Sequence, residues 1–431
     1  MGQSPKANGK KPLNIIFRLL GPGLVTGAAD DDPSGIATYS QAGAQFGYGL
    51  LWTVFLTTPF MIAIQLVSAQ IGRVTGKGLA ANFSQFAPRW LVIAIVSLLV
   101  SANTFNIAAD IGAMGEALSL VIGGLTHEHA LIFAAGSVLL QVFVPYRRYA
   151  PILKFLTLTL FVYVATALTV KIPWNAALLS AVWPKPTFNL NYFLMVVAVL
   201  GTTISPYLFF WQASQEVEEM SQSKHRGSRR PLKELRRGGH PEIDRIAVDT
   251  TVGMIFSNTI AFFIILTTAT VLNAGGITNI QTAAQAAAAL RPLAGELAFL
   301  LFALGIIGTG LLAIPVLAGS AAYGVAEAFG WPATLEAKAP DAVGFYGIIA
   351  AATIIGFGLG FTSIDPIKML IWSAVLNGIV AVPIMAVMMV IVSKVDLMGR
   401  FKGKPWLLGF GWGGTVLMAV AVIALIWSTV L

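Results

Sequence analysis

The sequence predicts an all-α integral membrane protein with eleven transmembrane helices. Of its 431 residues, 56% are hydrophobic and only 11% are charged, and the mean hydropathy is +0.79. Apolar runs long enough to cross a bilayer recur from one end of the chain to the other. No segment is large and polar enough to fold as a soluble domain. We therefore expect a cytoplasmic tail over 1–13, followed by one polytopic transporter domain over 14–431.

The spans are set by apolar windows that end at polar residues or at Gly and Pro. They lie near 15–44, 50–72, 91–122, 130–145, 152–171, 191–215, 246–272, 297–328, 343–361, 366–393 and 408–430. Between spans 6 and 7, residues 216–245 are expected to form a basic cytoplasmic loop. Acidic residues at its start, such as Glu216, are expected to be solvated.

Positive charge tests both the span count and the orientation. With eleven spans, 23 of the 27 Lys and Arg residues fall on the side of the N-terminus. Because positively charged loops stay in the cytoplasm, we expect a cytoplasmic N-terminus and a multi-pass protein of the inner (plasma) membrane. The net charge of +8 then reflects topology, so the expected surroundings are the lipid bilayer, with no nucleic-acid partner. We expect a monomer.

Three consecutive aspartates, Asp30, Asp31 and Asp32, interrupt the first span. A charged side chain at bilayer depth costs about 2.5–3.5 kcal/mol or more, so such residues usually face a cavity, an ion or a proton path. Pro33 removes a backbone donor and Gly35 tolerates unusual dihedral angles, so the helix is expected to open here. Carboxylates and freed carbonyls are the ligands that hard cations prefer. Since successive residues cannot all face one cavity, at least one aspartate is expected to face a neighbouring helix.

The sixth span has a second weak point, the stretch Gly201-Thr202-Thr203-Ile204-Ser205-Pro206-Tyr207. Interruptions in spans 1 and 6 are expected if spans 1–5 and 6–10 are inverted repeats with the substrate site between the two breaks. Span 11 lies outside that symmetry. On its own, a proline in a transmembrane helix is more often a packing kink than a binding site.

Two further buried polar residues leave alternatives open. Asp110, in the third span, fits a proton or ion pathway, and it also fits a satisfied structural pair. Asn377, near the middle of the tenth span, could line the cavity or bond a neighbouring helix.

Several stretches resemble a known family. Residues 21–24, 32–33, 37–38, 45–48 and 51–52 resemble the first-helix region of NRAMP divalent metal transporters, and residues 72–76 and 107–110 resemble the segments that follow. The resemblance implies a LeuT-like fold, alternating access and a metal site between helices 1 and 6. It implies a transporter that needs no cofactor. An enzyme is not expected, because the sequence shows no nucleophile with a base or phosphate-binding loop.

The departures from the family pattern bear on the cargo. Where the family reads Asp-Pro-Gly-Asn, this chain has Asp32-Pro33-Ser34-Gly35, and the Met-Pro-His of helix 6 becomes Ser205-Pro206-Tyr207. The second family histidine falls at or near Gln212. The four histidines of the chain lie in predicted loops: His127, His129, His225 and His240. NRAMP-related magnesium transporters also lack the methionine, so the resemblance favours a divergent prokaryotic branch of this kind.

An all-oxygen site is therefore expected, and it suits Mg²⁺, or alternatively Mn²⁺ or Ca²⁺. The metal- or substrate-binding candidates are Asp30, Asp31, Asp32, Ser34, Gly35, Thr202, Thr203, Ser205 and Asn377, with Asp32 as the principal ligand. The candidates for a proton or ion pathway are Asp110, Tyr207 and Gln212. Because tyrosine and glutamine replace the family's relay histidines, proton coupling is expected to be weak or absent.

Two other hypotheses remain open from the sequence. In one, the fold is the same but the cargo is a small organic cation or another ion-coupled solute. In the other, a transporter core serves as a non-transporting scaffold, which ranks last because no soluble effector domain is evident.

Overall fold

The computed structural model describes residues 22–145, 148, 158–187, 189–222, 229–235, 238–361 and 365–430, and this part of the chain is helical with no β-strand. The α-helices are α1 (Pro22–Asp30), α2 (Pro33–Phe46), α3 (Leu51–Phe55), α4 (Thr58–Thr75), α5 (Leu79–Phe86), α6 (Arg89–Ile122), α7 (Thr126–Phe143), α8 (Phe161–Thr169), α9 (Trp174–Val182), α10 (Leu190–Thr203), α11 (Pro206–Gln222), α12 (His240–Thr268), α13 (Ala283–Ala287), α14 (Arg291–Ala294), α15 (Ala298–Phe329), α16 (Val343–Leu359), α17 (Pro366–Ser393), α18 (Val395–Met398) and α19 (Pro405–Val430). A π-helical turn, Ala269–Asn273, extends α12.

Both predicted interruptions are present. The first span is divided into α1 and α2 at Asp31 and Asp32, and the sixth into α10 and α11 at Ile204 and Ser205. The helical segments Pro33–Phe55 and Thr58–Thr75, which follow one another at residues 56–57, are bent by 50° relative to each other.

Helices occupy the described part of each predicted span. By length and composition, six helical segments of the described chain could cross a membrane, and the bent pair adds a seventh. The six are Arg89–Ile122, Leu190–Gln222, His240–Asn273, Ala283–Phe329, Pro366–Ser393 and Pro405–Thr429. The remaining candidates are shorter or more polar, so the count of eleven stays a prediction. The predicted tail over 1–13 lies outside the described residues.

Close helix contacts relate the two halves. The first span runs along α12, and a β-carbon at Gly27 would fall on the backbone of Gly253. The sixth span runs along α4 in the same way, where a β-carbon at Gly72 would fall on the backbone of Ala213. Small residues allow such approach between membrane helices. The pairing of spans 1 with 7 and of spans 6 with 2 is the arrangement expected of repeats offset by five spans.

The connection over 216–245 differs from the expected solvated loop. It is helical at both ends, because α11 continues to Gln222 and α12 begins at His240. Glu216 is fully buried, and its carboxylate pairs with Arg245 at 2.9 Å. The expectation that it is solvated is therefore wrong, since two helix ends meet here and pair the charge.

The histidines also differ from expectation. His127 and His129 lie in the first turn of α7, and His240 begins α12, so none of these three is in a loop. His225 lies outside the described residues. None of the three described histidines lies at the breaks in the first and sixth spans.

Candidate functional site

The break in the first span is built by Asp32 and Pro33. Asp32 is the N-cap of α2, and its Oδ1 accepts a hydrogen bond of 2.6 Å from the backbone N–H of Gly35. Aspartate at the N-cap and proline at the first helical position are the residues that start a helix. The sequence therefore starts a new helix at Pro33, directly after α1 ends at Asp30, and leaves Asp31 and Asp32 between the two.

The other oxygen of Asp32 joins three spans. Its Oδ2 accepts a hydrogen bond of 3.1 Å from the side-chain amide of Asn106 on α6. It also lies 3.4 Å from the hydroxyl of Tyr207 on α11, which donates at 3.0 Å to the carbonyl of Ala29. Asp32 is only 2% exposed. Its carboxylate thus lies in an occluded space between the first, third and sixth spans.

Ser373 fixes the orientation of Asn106, and Ser34 lies beside Ser373. Ser373 on α17 donates to the side-chain carbonyl of Asn106 at 2.8 Å, which turns the amide nitrogen toward Asp32. Ser34 donates to the carbonyl of Leu370 at 2.9 Å and lies 3.0 Å from the Ser373 hydroxyl. The predicted residue Ser34 is therefore linked to Asp32 through α17 and α6.

Asp30 and Asp31 bind a residue of α12 and share no hydrogen-bonding partner with Asp32 among the described residues. The hydroxyl of Ser257 hydrogen-bonds both carboxylates, at 3.3 Å in the case of Asp31. Oδ1 of Asp30 and Oδ2 of Asp31 are buried and accept no hydrogen bond from the described residues. The three aspartates therefore do not converge on one point. Within the described ranges, no group of three or more His, Cys, Asp or Glu side chains is arranged to hold a metal ion.

The break in the sixth span faces that of the first. A β-carbon at Gly35 would lie 3.2 Å from the hydroxyl of Thr202, so the two breaks are in contact. Ser205 donates to the carbonyls of Gly201 and Thr202, both at 2.8 Å.

Thr203 is held in the same way, donating to the carbonyl of Val199 at 3.0 Å. The hydroxyl protons of Ser205 and Thr203 are thus held by α10, and their oxygens keep free lone pairs. The C-terminal ends of α1 and α10 carry partial negative charge, which favours a cation between them.

The remaining predicted residues are buried but are not all in one place. Asp110 lies one helical turn beyond Asn106, where it interacts with the backbone N–H of Ser34 and electrostatically with Asp32. Gln212 accepts a hydrogen bond from Thr26 of α1.

Asn377, on α17, is buried, and its side-chain oxygen has no hydrogen-bonding partner among the described residues. Its helix meets α10 closely, because a β-carbon at Gly201 would fall on the backbone of Ala374. The site thus brings Asp32, Ser34 and Tyr207 together, while Gln212 binds elsewhere along α1.

Three residues of this network were not selected from the sequence. Asn106 could have been selected, because it precedes Asp110 by four residues and therefore lies on the same face of the helix. Ser257 and Ser373 each lie in an apolar stretch of a helix, and no sequence pattern distinguishes them from packing residues.

Known proteins resemble this chain over nearly its whole length. The sequence profile of the Natural resistance-associated macrophage protein-like family, Nramp, matches residues 23–428. A protein of Klebsiella pneumoniae subsp. pneumoniae named divalent metal cation transporter MntH is 26% identical over 410 residues, covering 92% of this chain and 91% of the relative. The MntH of Pectobacterium carotovorum subsp. carotovorum is 28% identical over 305 residues, covering 69% of each chain.

Solved structures show the fold. The Eremococcus coleocola manganese transporter, in complex with an aromatic bis-isothiourea compound, superposes with a TM-score of 0.73 at 15% identity, covering 98% of this chain and 88% of that one. MhsT in complex with L-phenylalanine gives 0.59 at 13% identity, covering 94% and 98%. Mhp1, a nucleobase-cation-symport-1 family transporter, gives 0.54 at 15% identity, covering 95% and 92%.

These neighbours confirm the predicted all-α transporter fold of the LeuT-like kind. The profile match spans far more than half of the chain. The chain therefore belongs to the natural resistance-associated macrophage protein-like (Nramp) family, whose members are multi-pass membrane transporters and not enzymes.

Proposed function

We propose that this chain is a secondary transporter that moves a divalent metal cation across the cell membrane by alternating access. The observation that carries the proposal is the position of Asp32, a carboxylate buried at the junction of the two broken spans. An uncompensated carboxylate at that depth requires a cation or a proton. The names of the relatives support the cargo, since they are divalent metal cation transporters and a manganese transporter.

The site favours a hard ion. The side chains that hydrogen-bond Asp32 or its partner Asn106 belong to asparagine, tyrosine and serine, and they offer oxygen but no sulfur. Ser205 stands where the family has a methionine thioether. Oxygen ligands suit Mg²⁺, Mn²⁺ or Ca²⁺, whereas sulfur favours softer metals. Asp32 is the principal ligand in this proposal, with Asp30 and Asp31 as auxiliary charges that draw cations toward the break.

Transport is driven by membrane potential, with little or no proton movement. A membrane potential that is negative inside draws the cation inward, and the N-terminus is cytoplasmic in this proposal. Tyr207 donates its proton to Ala29, and Gln212 is an amide that does not titrate. Neither replaces a histidine, whose ordinary pKa lets it exchange protons near neutrality. Asp110 is left as the one acid of the predicted proton pathway.

Reconstitution tests the proposal. Purified protein in liposomes, with a potassium gradient and valinomycin setting a negative interior, should take up Mg²⁺ or Mn²⁺ as reported by a trapped fluorescent indicator. Empty liposomes and liposomes without the potential are the controls. Absence of potential-dependent influx of Mg²⁺, Mn²⁺ and Ca²⁺ in active preparations would show that the cargo is not a divalent metal.

One observation favours a second cargo. Since Asp30 and Asp31 bind Ser257, only one of the three consecutive aspartates binds residues of the third and sixth spans. One carboxylate with hydroxyl and amide neighbours also suits a small organic cation. Competition distinguishes the two, because an organic cargo would not be displaced by millimolar Mg²⁺ or Mn²⁺.

A further inference from the structure

A cavity of about 520 Å³ lies where α6 ends and α7 begins. It lies where the outer ends of α6, α7, α16 and α17 meet the segment before α13. Its wall includes Glu116, His127, Gln281 and Asp365, and the described residues that line it include no Lys or Arg. In the orientation proposed above, this cavity faces the outside of the cell.

A narrow pocket of about 10 Å³ lies beneath the cavity, and Glu116 lines both. The pocket is otherwise apolar, with Ala37 of α2, Ala113 of α6 and Leu370 of α17 in its wall. Leu370 is the residue whose carbonyl accepts the hydrogen bond of Ser34. A single hydrogen bond, from Ser34 to Leu370, therefore joins the wall of the pocket to the hydrogen-bonded residues around Asp32.

One face of α6 connects the two levels. Asn106, Asp110, Ala113 and Glu116 follow one another at intervals of four, three and three residues, which places them on the same side of a helix. Asn106 binds Asp32 at one end of this row, and Glu116 lines the outer cavity at the other. Asp110 and Glu116 thus lie on the face of α6 that carries Asn106, the residue that binds Asp32.

Glu116 also holds the segment that covers the pocket. Its Oε1 accepts a hydrogen bond of 2.8 Å from the backbone N–H of Ala283, the first residue of α13. Ala283 and Ala286 of α13 form part of the pocket wall. Asp365 interacts electrostatically with Glu116 across the cavity, while its Oδ1 stays bound to the backbone N–H of Ile367.

We propose that this cavity is the outer access route for the cation and that Glu116 is its gate. The Glu116 carboxylate keeps α13 closed over the pocket by binding the N–H of Ala283. An arriving cation competes for the same carboxylate, so α13 is released as the cation enters the route toward Asp32. Asp365 raises the local cation concentration and keeps its position as the cap of α17. This inference rests on the proposed function for the identity of the cation.

The absence of cysteine from the chain makes the gate measurable. A single cysteine introduced as Ala113→Cys, in the covered pocket, is labelled with a membrane-impermeant maleimide added outside proteoliposomes of known orientation. Glu116→Ala in this background should raise the labelling rate about tenfold, because the loss of a charge-assisted hydrogen bond shifts the closed state by that order. Glu116→Gln keeps an acceptor for Ala283 and should label slowly.

The second part of the experiment measures how added cations change the labelling rate. Adding Mn²⁺ or Mg²⁺ should speed labelling of the parent Ala113→Cys protein and have no effect in the Glu116→Gln variant. Glu128→Gln, an exposed acid on the same side in α7, is the matched control and should behave as the parent. Ala37→Cys, on the opposite wall of the pocket, repeats the measurement where Ala113→Cys folds poorly.

The labelling results distinguish failure of the proposed gate from failure of the proposed metal cargo. Equal labelling of the parent and Glu116→Ala proteins overturns the gate, and Asp32-dependent uptake would then persist without it. Labelling only from the cytoplasmic side overturns the access route. If Glu116→Ala opens the pocket but no divalent cation affects labelling of the parent, the exchange step is overturned, whereas the metal cargo is refuted only if the parent also shows no potential-driven influx of divalent cations.

Discussion

Removing the charge of Asp32 separates its structural role from its role in binding. The carboxylate accepts bonds from Gly35 and Asn106 and lies within 3.4 Å of the Tyr207 hydroxyl. Asp32→Asn keeps an oxygen for the Gly35 N–H but removes the negative charge. Asp32→Ala removes both. The two variants therefore differ in stability, but both lack the negative charge that a bound cation requires.

The magnitudes follow from these contacts. Loss of the N-cap in Asp32→Ala costs about 1 kcal/mol. Leaving the buried amide of Asn106 without its acceptor costs about 1–3 kcal/mol more, so the alanine variant should be less stable by about 2–4 kcal/mol. Asp32→Asn keeps the cap, but its amide nitrogen replaces Oδ2 and faces the amide of Asn106, so this variant should be less stable than the parent by about 1–3 kcal/mol. Loss of the charged ligand, worth about 3 kcal/mol, should lower cation affinity about 100-fold in both.

The assay combines thermal unfolding in detergent with uptake in liposomes. We expect the order of stability to be parent, then Asp32→Asn, then Asp32→Ala, and uptake to be lost in both variants. Uptake by Asp32→Asn at the parental rate would refute the assignment of Asp32 as the principal ligand. Loss of uptake in the alanine variant alone would assign the residue a purely structural role.

Three further predictions test other parts of the site. Ser205→Met should raise the affinity for Mn²⁺ or Cd²⁺ relative to Mg²⁺, because it restores a thioether, and an unchanged preference measured by uptake competition would show that residue 205 does not line the site. Liposomes with a trapped pH dye should show little acidification during cation uptake, and metal-dependent proton flux that disappears in Asp110→Asn would contradict weak coupling. Gly27→Ala should lower stability by about 1–3 kcal/mol through overpacking, since its β-carbon would fall on the backbone of Gly253. Gly136→Ala, which points into open space, is the control and should leave the unfolding midpoint unchanged or slightly higher.

The two helix breaks could be predicted because their signals are local. A proline after acidic or hydroxylated residues determines where a helix can start, and both Pro33 and Pro206 begin new helices in the structure. The family membership was equally readable, since the residues around the first break carry it. Local geometry also predicted that three successive aspartates cannot share one cavity.

The contacts between residues far apart in the sequence could not be predicted. Ser257, which binds Asp30 and Asp31, is more than 220 residues away in sequence. The pairing of Glu216 with Arg245 depends on two helix ends that meet only in the folded chain. Contacts of this kind follow from the packing of whole helices, and a single sequence carries no pattern that records them.

The central claim is that the occluded junction around Asp32 binds a hard divalent cation. Calorimetric titration of the purified protein with Mg²⁺, Mn²⁺ and Ca²⁺, in parallel with Asp32→Asn, tests it most directly. We predict saturable binding of at least Mg²⁺ or Mn²⁺ to the parent protein and about 100-fold weaker binding to the variant. Absence of binding of all three cations, or equal binding by the parent and the variant, would contradict the claim.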